Sequence, residues 1–169
     1  MKQIGLRLFF VLVVLLLANG SALAQDDWGD EEQTDSLALD ESDSLDAAEI
    51  CFRDVFQTRK SDRKAKFFSI GWEHVANNRY IDPDDDFMFR FKDVRPKVKT
   101  ISYYYNNLKK TKDKTVLCYM GEITKVDRYK IEVHCGYWES DTRAAGHLYI
   151  VEMIDGEWQI TSSAIEWMI

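Results

Sequence analysis

The 169-residue chain carries a formal charge of −7 and three cysteines, and 46% of its residues are hydrophobic. That length suits one domain with a real core, so a fold stapled by many disulfides is not required. The acid is segregated: residues 25–46 hold ten acids and no Lys or Arg. The rest is close to neutral, which gives nucleic-acid binding no broad electrostatic basis.

Lys2 and Arg7 precede an unbroken apolar run, Leu8 to Ala18, which Gly20 ends. Ala22-Leu23-Ala24 then places small residues where a signal peptidase reads. The run is shorter than the roughly 20 residues that span a bilayer. Residues 1–24 are therefore expected to be a cleaved signal peptide, leaving a periplasmic or secreted chain from Gln25. No cysteine follows the cleavage site to accept a lipid anchor, and no second apolar segment of spanning length is present. No membrane span is expected after cleavage.

Residues 25–44 read as a disordered acidic leader, too poor in apolar residues to offset ordering entropy. A single α+β domain is expected over 45–169. Leu45, Ala48, Phe52, Val55, Phe56 and Arg59 recur at helical spacing, with Asp43 or Ser44 as the cap. Ser61-Asp62 reads as a second cap, and Phe67, Ile70, His74 and Val75 continue a helical stripe to Asn77-Asn78. Tyr80 to Asp86 reads as a turn-rich connection. Phe87, Phe89 and Phe91 alternate with polar or flexible residues and read as extended, and Lys97–Tyr105 reads as a strand. Asn106–Lys114 reads as a polar, basic turn.

Two hairpins follow. Thr115–Thr124 and Tyr129–Trp138 flank a turn at Lys125–Arg128. Gly146–Ile154 and Glu157–Ala164 flank Asp155-Gly156, both of which tolerate positive φ. In the second hairpin Met153 should oppose Trp158, and Val151 should oppose Ile160. The expected fold class is α+β, with N-terminal helices packed on a curved antiparallel meander.

The stretch Leu148-Tyr149-Ile150-Val151-Glu152-Met153-Ile154-Asp155-Gly156-Glu157-Trp158-Gln159-Ile160 closes this arrangement. With the element order over residues 45–167, it resembles the nuclear transport factor 2-like (cystatin-like) superfamily of α+β cones. The resemblance implies a pocket between helices and sheet. It implies no single activity, because the superfamily spans isomerases, dehydratases and transport adaptors.

Cys51, Cys118 and Cys135 leave at least one thiol unpaired in each chain. A turn centred between Val126 and Asp127 would set Cys118 opposite Cys135, where a cross-strand disulfide can form. A one-residue slip would set Cys118 opposite Gly136; bonding through Cys51 and three buried free thiols also stay open. No Cys-x-x-Cys is present. The histidines, His74, His134 and His147, lack partners at metal-ligand spacing, and Asp82–Asp86 lacks the EF-hand alternation, so no metal or cofactor is expected. The sharpest catalytic pair is His74 with Glu152 as base and carboxylate; packing or surface roles compete with it. Tyr103, Tyr105 and Tyr149 are candidates for stacking on a ligand. The expected role is an exported, non-enzymatic binding or accessory module with an unknown ligand or envelope-protein partner. A small isomerase- or hydrolase-like pocket enzyme, a structural subunit of an envelope complex, and a homodimer stay open.

Overall fold

In the computed structural model, residues 40–59, 65–74, 79–107 and 115–169 are described. The signal-peptide reading, most of the leader, the Ser61-Asp62 cap, the Asn77-Asn78 stop and most of the 106–114 turn lie outside them. The elements run α1 (Glu41–Arg59), β1 (Phe67–His74), β2 (Arg79–Ile81), α2 (Asp85–Phe89), β3 (Lys97–Thr100) and α3 (Ile101–Asn106). Four long strands follow: β4 (Thr115–Asp127), β5 (Lys130–Ser140), β6 (Arg143–Ile154) and β7 (Glu157–Met168). The protein is α+β, with one seven-stranded sheet in the order β2-β1-β4-β5-β6-β7 and β3 also on β1. The β4–β7 meander is antiparallel. The sheet is nonetheless mixed, because β1 pairs in parallel with both β3 and β4.

Helix α1 begins at Glu41, earlier than the expected cap, because Asp40 accepts from the Ser42 amide at 3.2 Å and so caps the first turn. Its stripe Ala47, Ala48, Cys51, Phe52, Val55 and Phe56 is buried. Phe52 is the hub of that stripe. Its ring lies 6.0 Å from Phe56, 6.1 Å from Trp72 and Phe91, and 6.3 Å from Phe87. Opposite it the sheet presents Phe68, Ile70, Val116, Cys118, Met120, Val133, Cys135, Tyr149 and Val151.

Three local expectations are corrected. Phe67–His74 is a strand, not a helix: Phe68 and Ile70 are buried with Trp72 beside them at a period of two, flanked by partners on both edges. Gly71, an unfavourable residue inside a helix, was the available signal; Ile101 of α3 packs onto it, 3.0 Å from where a Cβ would stand. Phe87–Phe91 is a helical turn, not a strand. Asp84 caps it, accepting from the Phe87 amide at 2.7 Å, so Phe87 and Phe91 both point inward while Phe89 is 64% exposed. The strand expected over Lys97–Tyr105 stops at Thr100, whose side chain caps α3. Asp82 reinforces that cap by accepting from the Ser102 amide at 2.8 Å. The three consecutive tyrosines therefore lie around a helix, and Tyr104 does not oppose its neighbours as it would in a strand.

The Asp155-Gly156 turn has the positive φ values expected, 52° and 85°, and its register sets Met153 opposite Trp158 and Val151 opposite Ile160. The first hairpin turns later than expected, at Arg128-Tyr129, and register shifts follow between Lys125 and Asp127 and between Met120 and Ile123; together these set Cys118 opposite Tyr137 and Cys135 opposite Met120. Cys51, Cys118 and Cys135 are all free and buried.

On the face away from α1, one row runs Tyr119↔Gly136↔Gly146↔Trp167 across four strands. The two glycines make a trough that the two rings fill, stacked at 6.4 Å and 7°. A Cβ at Gly146 would meet the Trp167 indole, including Cε2 at 2.7 Å. Gly146→Ala is expected to push Trp167 out of this row and destabilise the fold by about 1–3 kcal/mol. Near-UV circular dichroism during denaturant unfolding checks both effects; an unchanged spectrum and midpoint would contradict them.

Candidate functional site

The polar side chains that stand on the covered face of the sheet gather near the C-terminal end of α1. From β5 comes Tyr137, from β6 His147 and Tyr149, and from α1 Asp54 and Arg59. Tyr149 is 2% exposed, and its hydroxyl donates to Asp54 Oδ2 at 3.0 Å. The His147 ring lies 5.8 Å from Tyr149 and 6.3 Å from Tyr137. The Arg59 guanidinium sits 4.2 Å above the Tyr137 ring. Its Nε is buried and, among the described residues, has no hydrogen-bond partner. Past this cluster the second half of β7 is exposed, with Ile165 at 59%.

Electrostatics follow from this placement. Burial, and then the nearby Arg59 charge, hold His147 below its ordinary value. It is therefore neutral near pH 7, with one ring nitrogen to donate and one to accept. Burial, followed by the Cys135, Asp54 and Cys51 surroundings, pushes Tyr149 well above the usual phenol range, so its hydroxyl stays a donor. The cluster thus presents a cation, an anion, a neutral imidazole and a phenol within one wall. It can fix a small polar ligand through complementary hydrogen bonds and charge.

The thiols beside the cluster are not activated. Cys135 stands directly across from His147, but its thiol is 1% exposed and burial pushes it far above the usual range. Cys51 and Cys118 are raised by the same desolvation. Protonated buried thiols are inert. Among the described residues no group of three or more His, Cys, Asp or Glu side chains could hold a metal ion. Nor is any described helix long and apolar enough to cross a membrane.

The residues singled out from sequence do not converge. His74 is exposed at the end of β1, whereas Glu152 is on β6 opposite Lys130 and Gln159. With β4 and β5 between them, the two strands are three spacings apart, about 14 Å. Tyr103 packs on Phe67 at 5.9 Å, and Tyr105 is 53% exposed on α3; neither accompanies Tyr149. Sequence reading missed Asp54 as the partner of Tyr149 and Tyr137 as the ring under Arg59. The available signal was an acid three residues after Cys51 inside an apolar stripe, with Arg59 closing the same stripe. No family model, curated protein or solved structure matches the chain.

Two outcomes are expected. Because the His147 value is lowered in the fold, the unfolded chain binds more protons as pH falls through about 6.5. Stability is therefore present above that pH and is lost on acidification; His147→Gln should flatten the pH 7 to 5.5 slope in urea melts. Tyr149→Phe strips Asp54 of its donor and should cost about 1–3 kcal/mol, read by the same melts.

Proposed function

We propose that this chain is an exported, non-enzymatic binding module of nuclear transport factor 2-like shape, and that it holds a small polar ligand against Arg59, His147, Tyr149 and Asp54. One observation carries the reading: a charged, hydrogen-bonding cluster stands in the helix–sheet layer, and among the described residues its buried Arg59 Nε has no partner. A buried donor left unpaired costs about 1–3 kcal/mol, which a ligand acceptor would recover. Export rests on the Leu8–Ala18 run and the Ala22-Leu23-Ala24 site.

A second reading, a subunit of an envelope complex or a homodimer, draws on β7. Among the described residues this twelve-residue edge strand pairs only with β6, and it leaves Ile165 59% and Met168 70% exposed. Native mass spectrometry of protein recovered from the exported fraction separates the two. The binding reading expects the mass of residues 25–169 plus a retained small molecule, lost in an Arg59→Ala, His147→Ala double variant. A bare monomer, or a retained molecule indifferent to that variant, would overturn it. A bare dimer would favour the β7 reading.

A further inference from the structure

The face of the sheet turned away from α1 carries four aromatic side chains with two carboxylates beside them. Tyr119 of β4 and Trp167 of β7 form the floor. They are parallel within 7°, and each lies across a glycine. A Cβ at Gly136 would strike the phenol at Cζ, 2.6 Å away, and one at Gly146 would strike the indole at Cε2 and Cδ1, 2.7 and 2.8 Å away. Each ring therefore rests one face on backbone and turns the other outward. Tyr80 of β2 and Trp138 of β5, both half-buried, stand tilted beside this floor. Tyr80 is 5.9 Å from Tyr119 at 46°, and Trp138 is 5.4 Å from Trp167 at 43°. The Trp138 indole donates to the Tyr80 hydroxyl and so joins the two walls. Trp167 is 37% exposed, which leaves the box open on its side.

The charge beside these rings is negative. Glu73 of β1 is the register partner of Tyr80 and is half-buried. Among the described residues it forms no ion pair. Glu166 adjoins Trp167, its Oε2 2.9 Å from His134 Nδ1. Burial first, then Tyr80, Cys135 and these two carboxylates, raise the Tyr119 phenol above its usual range, which sets both charges within reach of the floor. Among the described residues no Lys or Arg stands over any of the four rings, although Arg53, Arg59 and Arg90 stand over Phe91, Tyr137 and Phe87 elsewhere.

We propose that this open box binds a small quaternary ammonium cation of the choline type, with its methyl groups on Trp167, Trp138 and Tyr80 and its charge opposite Glu73 and Glu166. The face of an aromatic ring attracts a cation, and Trp does so most strongly. Flanking carboxylates add to that attraction and turn anions away. A trimethylammonium group has no hydrogen-bond donor to satisfy, so it suits walls made of ring faces. The site is on the opposite side of the sheet from the Asp54–Tyr149 cluster and does not rest on it.

Choline is the probe, followed through the indole N–H resonances of the full-length mature protein. The expected result is saturable shifts at Trp138 and Trp167, with Trp158 on the α1 face unmoved. The neutral isostere of choline, with carbon in place of the nitrogen, should bind at least about tenfold more weakly. Phosphocholine, which sets an anion beside the same ammonium, should also bind more weakly than choline. A Glu73→Gln, Glu166→Gln variant keeps the shape and removes both charges. It should weaken choline at least about tenfold and leave the neutral isostere within about twofold. If urea melts show that this pair of changes loosens the fold, Glu73→Gln alone should still weaken choline. Glu152→Gln, on the same face opposite Lys130, should leave choline within about twofold, because exposed charges that distant are screened. Equal binding of the neutral isostere, phosphocholine as tight as choline, shifts that do not saturate, or choline binding indifferent to the Glu73 and Glu166 changes would overturn the proposal.

Discussion

Burial of one face of α1 against the sheet is the constraint on which the rest of the structure depends. Phe52 reaches four rings drawn from α1, β1 and the α2 turn, so it joins elements that are far apart in sequence. Covering a large apolar side chain of this kind contributes about 1.5–3 kcal/mol, and truncating it to Ala in a packed core costs about 3–5 kcal/mol. A polar layer sits beside it. Arg53 bonds Glu49 at 2.8 Å and the Arg90 carbonyl at 2.7 Å, while Arg90 bonds Asp46 at 2.6 Å. Pairs of this partly exposed kind are individually weak. They orient the α2 turn on α1 more than they hold it there.

The candidate cluster follows from where that packing changes character. Along α1 the inward residues run from Ala47 and Ala48 through Phe52 to Val55 and Phe56, and then the stripe ends on Arg59. The sheet beneath changes in step, from Val151 and Ile131 to Tyr149, His147 and Tyr137. Apolar pairing gives way to a Tyr149–Asp54 hydrogen bond and to Arg59 over Tyr137. A core that needed only stability would continue with aliphatic residues, which carry no desolvation cost. Polar groups retained at this end, with Arg59 Nε unpaired among the described residues, are the feature on which the proposed ligand site rests.

What the sequence made legible depended on how local the determinant was. The Asp155-Gly156 hairpin was readable down to its residue pairs, because positive-φ tolerance and an apolar face agree within ten residues. Helix α1 was readable from its stripe. Phe67–His74 and Phe87–Phe91 were not. Each is short and aromatic, and patterns of that length fit a period of two or of 3.6 almost equally well. Pairing with β3 and β4 decided the first, and the Asp84 cap decided the second. Cys118 and Cys135 miss each other because the hairpin turns at Arg128-Tyr129, past the expected centre between Val126 and Asp127, and because two register shifts lie between that turn and the cysteines. The candidate cluster was only partly visible: Tyr149 stood out, but its partner Asp54 lies 95 residues away in sequence.

The seam between α1 and the sheet contains its own reporters. Cys51 lies on α1, Cys118 on β4 and Cys135 on β5, at 0%, 0% and 1% exposure. The most direct test of the packing is the rate at which a thiol reagent alkylates each cysteine in the native protein, resolved by mass spectrometry of peptides. If α1 is docked as described, the three thiols react together, at a rate set by global unfolding, and every one is found reduced. Rapid native labelling of Cys51 alone, or recovery of a Cys118–Cys135 disulfide, would contradict the account.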